Sequence, residues 1–155
     1  MSFRITGLAA DPFLPLYGLD TDILAARGIL RMTAGAAPDF PDRVELRHAR
    51  EGETVLLLNH VSQPAASPYR ATLAIFVIEG AETAYDRVDT VPEVMRPRLL
   101  SLRGFDEEGM MRDADVVEGT AVEGLIDRLF EMPEITEIHA HYARRGCFAG
   151  RITRG

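Results

Sequence analysis

Along the chain, apolar and polar residues alternate with a period of two in several short stretches. Clusters of Gly, Pro, Asp and Ser separate them. Phe3 to Leu8 alternates and reads as a first strand. Asp11-Pro12 carries the signature of a helix start, with Asp as cap and Pro at the first helical position. Asp20 to Arg27 predicts a second short helix closed by Gly28. Ile29 to Thr33 fits a strand, and Ala34 to Asp42, with two prolines and a glycine, fits a loop. Arg43-Val44-Glu45-Leu46 alternates again. Val55 to Leu58 and Thr72 to Ile78 are continuous apolar runs, which predicts strands buried on both faces and therefore central in a sheet. Glu51-Gly52-Glu53 predicts a turn, and Gln63 to Arg70 a loop.

Leu99 to Phe105 and Met110 to Val117 flank Asp106-Glu107-Glu108-Gly109 and predict a hairpin. The clearest helix follows, over about 120–131. Val122, Leu125, Ile126, Leu129 and Phe130 recur at helical spacing, and Thr120 with Glu123 has the form of a capping box. Many short strands with few helices, and no βαβ alternation, predict an α+β protein with a largely antiparallel sheet, as a single domain over 1–155.

A second hairpin spans Glu137 to Ile152 around Arg144-Arg145-Gly146. Two registers are open to it. A four-residue loop pairs Tyr142 with Cys147; a three-residue loop pairs Ala143 with Cys147. Only the second gathers Ile138, Ala140, Tyr142, Phe148, Gly150 and Ile152 on one apolar face. A one-residue slip inverts a whole strand, so burial favours that register. The opposite face then carries Glu137, His139, His141, Cys147 and Arg151, with Cys147 diagonal to His141.

Several chemistries suit such a face. His-x-His places two imidazoles about 6.5–7 Å apart at Cα, so His139, His141 and Cys147 form a weak candidate metal set. Cys147 with a histidine base, His139 or His141, is a candidate catalytic pair. Arg43, Arg70, Arg144, Arg145 and Arg151, with Tyr69, are candidate contacts for an anionic small molecule, because guanidinium binds carboxylate or phosphate in a fork. Asn59 and His60, at the end of a central strand, are possible additions. A plain solvated polar face explains the same residues without any ligand. Asp113 and Asp115 share a strand face and read as an exposed edge or as paired carboxylates.

Composition narrows these choices. All 17 basic residues are arginine. Without lysine there is no pyridoxal-phosphate Schiff base and no P-loop lysine, and no cofactor is predicted. Acid–base work near neutral pH falls to four histidines, one cysteine or a shifted carboxylate. The net charge of −7 argues against nucleic acid as a partner. It is uneven: 11 acids and 2 arginines lie in 104–137, while 138–155 holds 4 arginines and no acid. The lone cysteine excludes an internal disulfide. No signal pattern or membrane-length apolar run is present, so a soluble cytoplasmic protein is expected.

Three blocks together resemble one family. They are Ser67-Pro68-Tyr69-Arg70 with Ile75-Phe76-Val77, Leu102-Arg103 through Asp113-Ala114-Asp115-Val116-Val117, and His139-Ala140-His141 with Ala143-Arg144-Arg145-Gly146-Cys147. The family is a bacterial one, domain of unknown function 1203, and the resemblance implies no activity. The expected function is therefore a binding protein or enzyme for an anionic ligand at the C-terminal hairpin. The alternative is a non-catalytic protein whose arginine-rich hairpin meets an acidic partner. Concavity separates the two: an enzyme needs His139, His141 and one of His60, Tyr69 or Arg70 in one pocket.

Overall fold

The computed structural model describes residues 1–155 and has two antiparallel sheets. The strands are β1 (Phe3–Thr6), β2 (Leu30–Thr33), β3 (Thr54–Gln63), β4 (Ala71–Ile78), β5 (Asp86–Val88), β6 (Leu99–Phe105), β7 (Met111–Glu118), β8 (Glu137–Tyr142) and β9 (Phe148–Arg154). Six form one sheet in the order β5-β1-β9-β8-β6-β7, and three form the other as β2-β3-β4. The helices are α1 (Thr21–Ala26) and α2 (Val122–Phe130). The α+β expectation is met. No helix is long and apolar enough to cross a membrane.

The stripe on α2 is buried as its spacing requires. Val122, Leu125, Ile126, Leu129 and Phe130 pack over Leu100, Leu102, Ile138, Ala140 and Ile152 of the larger sheet. Each such side chain contributes roughly 1.5–3 kcal/mol. A second apolar cluster joins β3 and β4 to Leu24 of α1 and to Phe13.

Five local expectations are corrected. Asp11-Pro12 starts no α-helix; the segment makes only a 3-10 turn at Leu14–Leu16, which Pro15 and Gly18 keep short. Thr120 makes no cap bond, because a 3-10 turn at Gly119–Ala121 leads into α2, and Glu123 instead pairs with Arg96. The run in β4 lies at a sheet edge rather than in the centre. Its N-terminal half is largely exposed; its C-terminal half is buried because the loop before Arg43 covers it, through an Asp42–Phe76 bridge.

Arg43 to Leu46 is no strand. The buried Asp42 carboxylate accepts hydrogen bonds from the amides of Val44, Glu45 and Ile78, which bends the chain into a local turn. Leu46 closes that bend at φ 50°, a left-handed conformation uncommon outside glycine. The bend is wedged between the sheets. Leu8 donates to the Arg43 carbonyl and Tyr85 to the Val44 carbonyl. A β-carbon at Gly7 would lie 2.0 Å from the Val44 oxygen, so only glycine permits this approach.

The fifth correction is the register of the β8–β9 hairpin. Ile138–Ile152, His139–Arg151 and Ala140–Gly150 pair as expected. The ladder then slips, so that His141 faces Phe148 and the Tyr142 amide donates to the Cys147 carbonyl. Both registers are thus used, joined by a bulge that leaves Ala149 unpaired in the core. A phenylalanine opposite Tyr142 would compete for the space that two guanidiniums occupy over the tyrosine ring. The slip turns Phe148 to the histidine face and Cys147 to the tyrosine face.

Candidate functional site: an arginine-lined cavity

The hairpin correction divides the expected site in two. On one face, the Phe148 ring meets three imidazoles, with centroids 5.6 Å from His139, 5.8 Å from His141 and 6.0 Å from His60. His139 and His141 are both buried. His141 Nδ1 donates to the Gly146 carbonyl at 2.8 Å, and burial lowers its pKa to about 4. His139 Nε2 donates to Glu137 at 3.0 Å, which leaves Nδ1 buried and unpartnered. Glu137 also accepts from Arg151, and the His139 bond comes first in holding its carboxyl down at about 2. Neither His139 nor His141 lines either of the two main cavities.

Cys147 lies on the other face, so the set His139, His141 and Cys147 is not assembled as a catalytic or metal group. No three His, Cys, Asp or Glu side chains gather as a metal site. Tyr69 and Arg70 are exposed on their loop, and Arg70 donates to the Pro64 carbonyl. Asn59 accepts from Thr72, and with His60 it lines a separate cavity of about 330 Å³. Asp113 and Asp115 are both paired with Arg128.

Three of the expected arginines do converge. Arg43, Arg144 and Arg145 line a cavity of about 780 Å³, together with Arg98, Tyr142 and Cys147. That volume is in the range of small-molecule sites. Both sheets contribute: Met32 and Phe76 come from the smaller one, Leu99, Glu118 and Tyr142 from the larger.

Arg43 is 1% exposed and has no carboxylate within ion-pair distance. Its Nε donates to the Phe148 carbonyl at 2.7 Å, one Nη to the Pro41 carbonyl, and the other to Cys147 Sγ at 3.1 Å. Burial pushes its pKa down from the ordinary value. Arg98 is held by the Val94 and Pro38 carbonyls and donates to His48 Nε2 at 2.5 Å. The His48 proton is therefore on Nδ1. Burial, then the Arg98 charge, pushes the His48 pKa down.

The two fixed guanidiniums lie 5.0 and 5.1 Å from the Tyr142 ring centroid, within cation–π range. The Tyr142 hydroxyl is buried and has no hydrogen-bond partner. Burial raises its pKa, against the pull of the same arginines. Arg144 and Arg145, exposed at the hairpin tip, have no ion pair. Asp39 and Glu118 are the cavity's only acids.

Sequence reading missed Arg98, His48 and the polar role of Tyr142. Arg98 sits between Pro97 and an apolar strand with no motif around it, and Tyr142 read as core. Only the fold brings them together.

Fold and cavity define a class: an α+β protein whose two antiparallel sheets enclose an arginine-lined cavity. The chain belongs to the family described as Protein of unknown function (DUF1203), whose model matches residues 39–154. That stretch includes every residue of the cavity except Met32. No curated protein and no solved structure matches the chain.

Proposed function

We propose that the protein binds a small anionic molecule in the 780 Å³ cavity, with Arg43, Arg98, Arg144 and Arg145 as its contacts. The observation that carries this reading is the buried Tyr142 hydroxyl, unpartnered and set beside guanidiniums that have no carboxylate. A buried polar group without a partner costs about 1–3 kcal/mol, and an anionic oxygen in the cavity would relieve that cost. It would also offset the unneutralised charge of Arg43.

Calorimetric titration with inorganic phosphate, sulfate and simple carboxylates tests the proposal. Binding to the wild type is expected, weakened about tenfold or more in the Arg144→Ala/Arg145→Ala double variant and several-fold in Tyr142→Phe. Absence of binding by all of these anions would overturn it. Catalysis by His139, His141 and Cys147 acting together has no support in the geometry, since Cys147 is turned to the other face.

The exposure of Arg144 and Arg145 supports a second reading, in which the hairpin tip docks on an acidic protein surface. An acidic peptide would then bind the wild type and Tyr142→Phe equally, and Arg144→Glu would abolish its binding.

A further inference from the structure

The cavity lining combines two kinds of surface, and this sharpens the anion reading on which the following rests. One is cationic, from Arg43, Arg98, Arg144 and Arg145. The other is apolar: Phe40 and Phe76 meet edge to face at 5.0 Å, and Met32, Pro41 and Leu99 share the lining. Phe40 and Phe76 are only half-buried and Met32 is exposed, so this apolar surface is open to the cavity rather than sealed in a core. An inorganic ion would use the arginines and leave these rings wet.

Charge sets the headgroup. Arg43, Arg98, Arg144 and Arg145 face two acids, Asp39 and Glu118, so the lining carries two more positive than negative charges. That excess matches a dianion. Arg43 and Arg98 both lie against the Tyr142 ring, so two of the four cations are held at one side chain of the lining. A phosphoryl group suits this arrangement because its oxygens take several donors from one centre. Apolar contact with a ring also adds affinity that an inorganic ion cannot gain.

We infer that the ligand is an aromatic phosphomonoester or a close dianionic equivalent, its headgroup among Arg43, Arg98, Arg144 and Arg145 and its ring against Phe40 and Phe76. Cys147, whose Sγ accepts from Arg43 Nη2 at 3.1 Å, then lies beside a headgroup contact and is covered when the site fills. It is the only cysteine in the chain, so alkylation reports on this one position.

The test is calorimetry with inorganic phosphate and phenyl phosphate, with iodoacetamide labelling of Cys147 read by mass spectrometry. Phenyl phosphate is expected to bind about tenfold or more tightly than phosphate and to slow the labelling. Phe76→Ala should remove most of that gain while phosphate binding persists. If Phe76→Ala fails to fold, Met32→Ser, at an exposed position of an edge strand, should reduce the gain in the same direction. Equal affinity for phosphate and phenyl phosphate would overturn the inference and leave anion binding standing. Binding by neither would overturn both. Tighter phenyl phosphate binding that leaves Cys147 labelling unchanged, or that survives both substitutions, would place the ring elsewhere and overturn the inference.

Discussion

At the scale of single residues, burial decides what each titratable group can do. Asp42 and His141 are both buried, and burial acts on them in opposite directions. It raises the Asp42 pKa, although three backbone amides aimed at the carboxylate pull it back. It lowers the His141 pKa to about 4. An unfolded histidine takes up its proton near pH 6.5, whereas folded His141 does not until about 4. The stability this group contributes is full above pH 6.5 and is lost as pH falls toward 4. The loss is about 2–3 kcal/mol over that window. Below it, Glu137, held at about 2 by His139 and then Arg151, adds a further loss as pH falls from 4.5. His141→Gln should reduce the loss in the upper window, to which His48 and His60 also contribute, and leave the lower one unchanged. Urea midpoints at pH 7 and pH 4.5 for wild type and variant check this. An equal acid loss in both would show that other groups set the slope.

At the scale of elements, α2 and the C-terminal hairpin separate what periodicity tells from what it does not. The apolar stripe of α2 is set by spacing, and all five of its members are buried as expected. The start of α2 is set by tertiary contact: Arg96 binds Glu123 with both of its terminal nitrogens. Glu123 is therefore not free for a capping box, and the Thr120 hydroxyl makes no cap bond. Loss of a working cap costs about 1 kcal/mol. Thr120→Ala should instead stay within about 0.5 kcal/mol of wild type in chemical denaturation. A loss near 1 kcal/mol would show that the hydroxyl caps the helix in solution. The hairpin teaches a related lesson. Its outer half was legible because Ile138, Ala140, Gly150 and Ile152 must share an apolar face. The bulge at Ala149 was not, because it answers to Arg43 and Arg98 packed over Tyr142, and those come from distant parts of the chain. The site followed the same division. Arg43, Arg144 and Arg145 were legible as arginines in an acidic chain, while the grouping of Cys147 with His141 depended on a register that the slip reverses.

At the scale of the molecule, two apolar cores meet through a polar joint. The larger has 19 buried residues under α2 and the six-stranded sheet; the smaller has 14, around the three-stranded sheet. Arg43 ties them together. Its amide donates to the Phe76 carbonyl in β4, and its Nε to the Phe148 carbonyl in β9. The second bond is the one a side-chain change can remove. Arg43→Gln shortens the reach, and the Phe148 and Pro41 carbonyls and Cys147 Sγ lose their donor. Unpartnered buried acceptors cost about 1–3 kcal/mol each, partly offset here because a buried charge without a carboxylate is also removed. The smaller sheet has fewer strands and fewer buried residues to hold it once the joint is weakened. In the wild type, the most protected amides of β3 and of β8 should exchange with similar free energies, as in one cooperative unit. In Arg43→Gln, protection in β3 and β4 should fall by about 2 kcal/mol more than protection in β8 and β9. Hydrogen exchange read by mass spectrometry on peptides from the four strands measures this. An equal fall in all four would mean that the sheets unfold together without Arg43 and that the joint lies elsewhere, at the Gly7–Val44 approach or the His60–Phe148 contact.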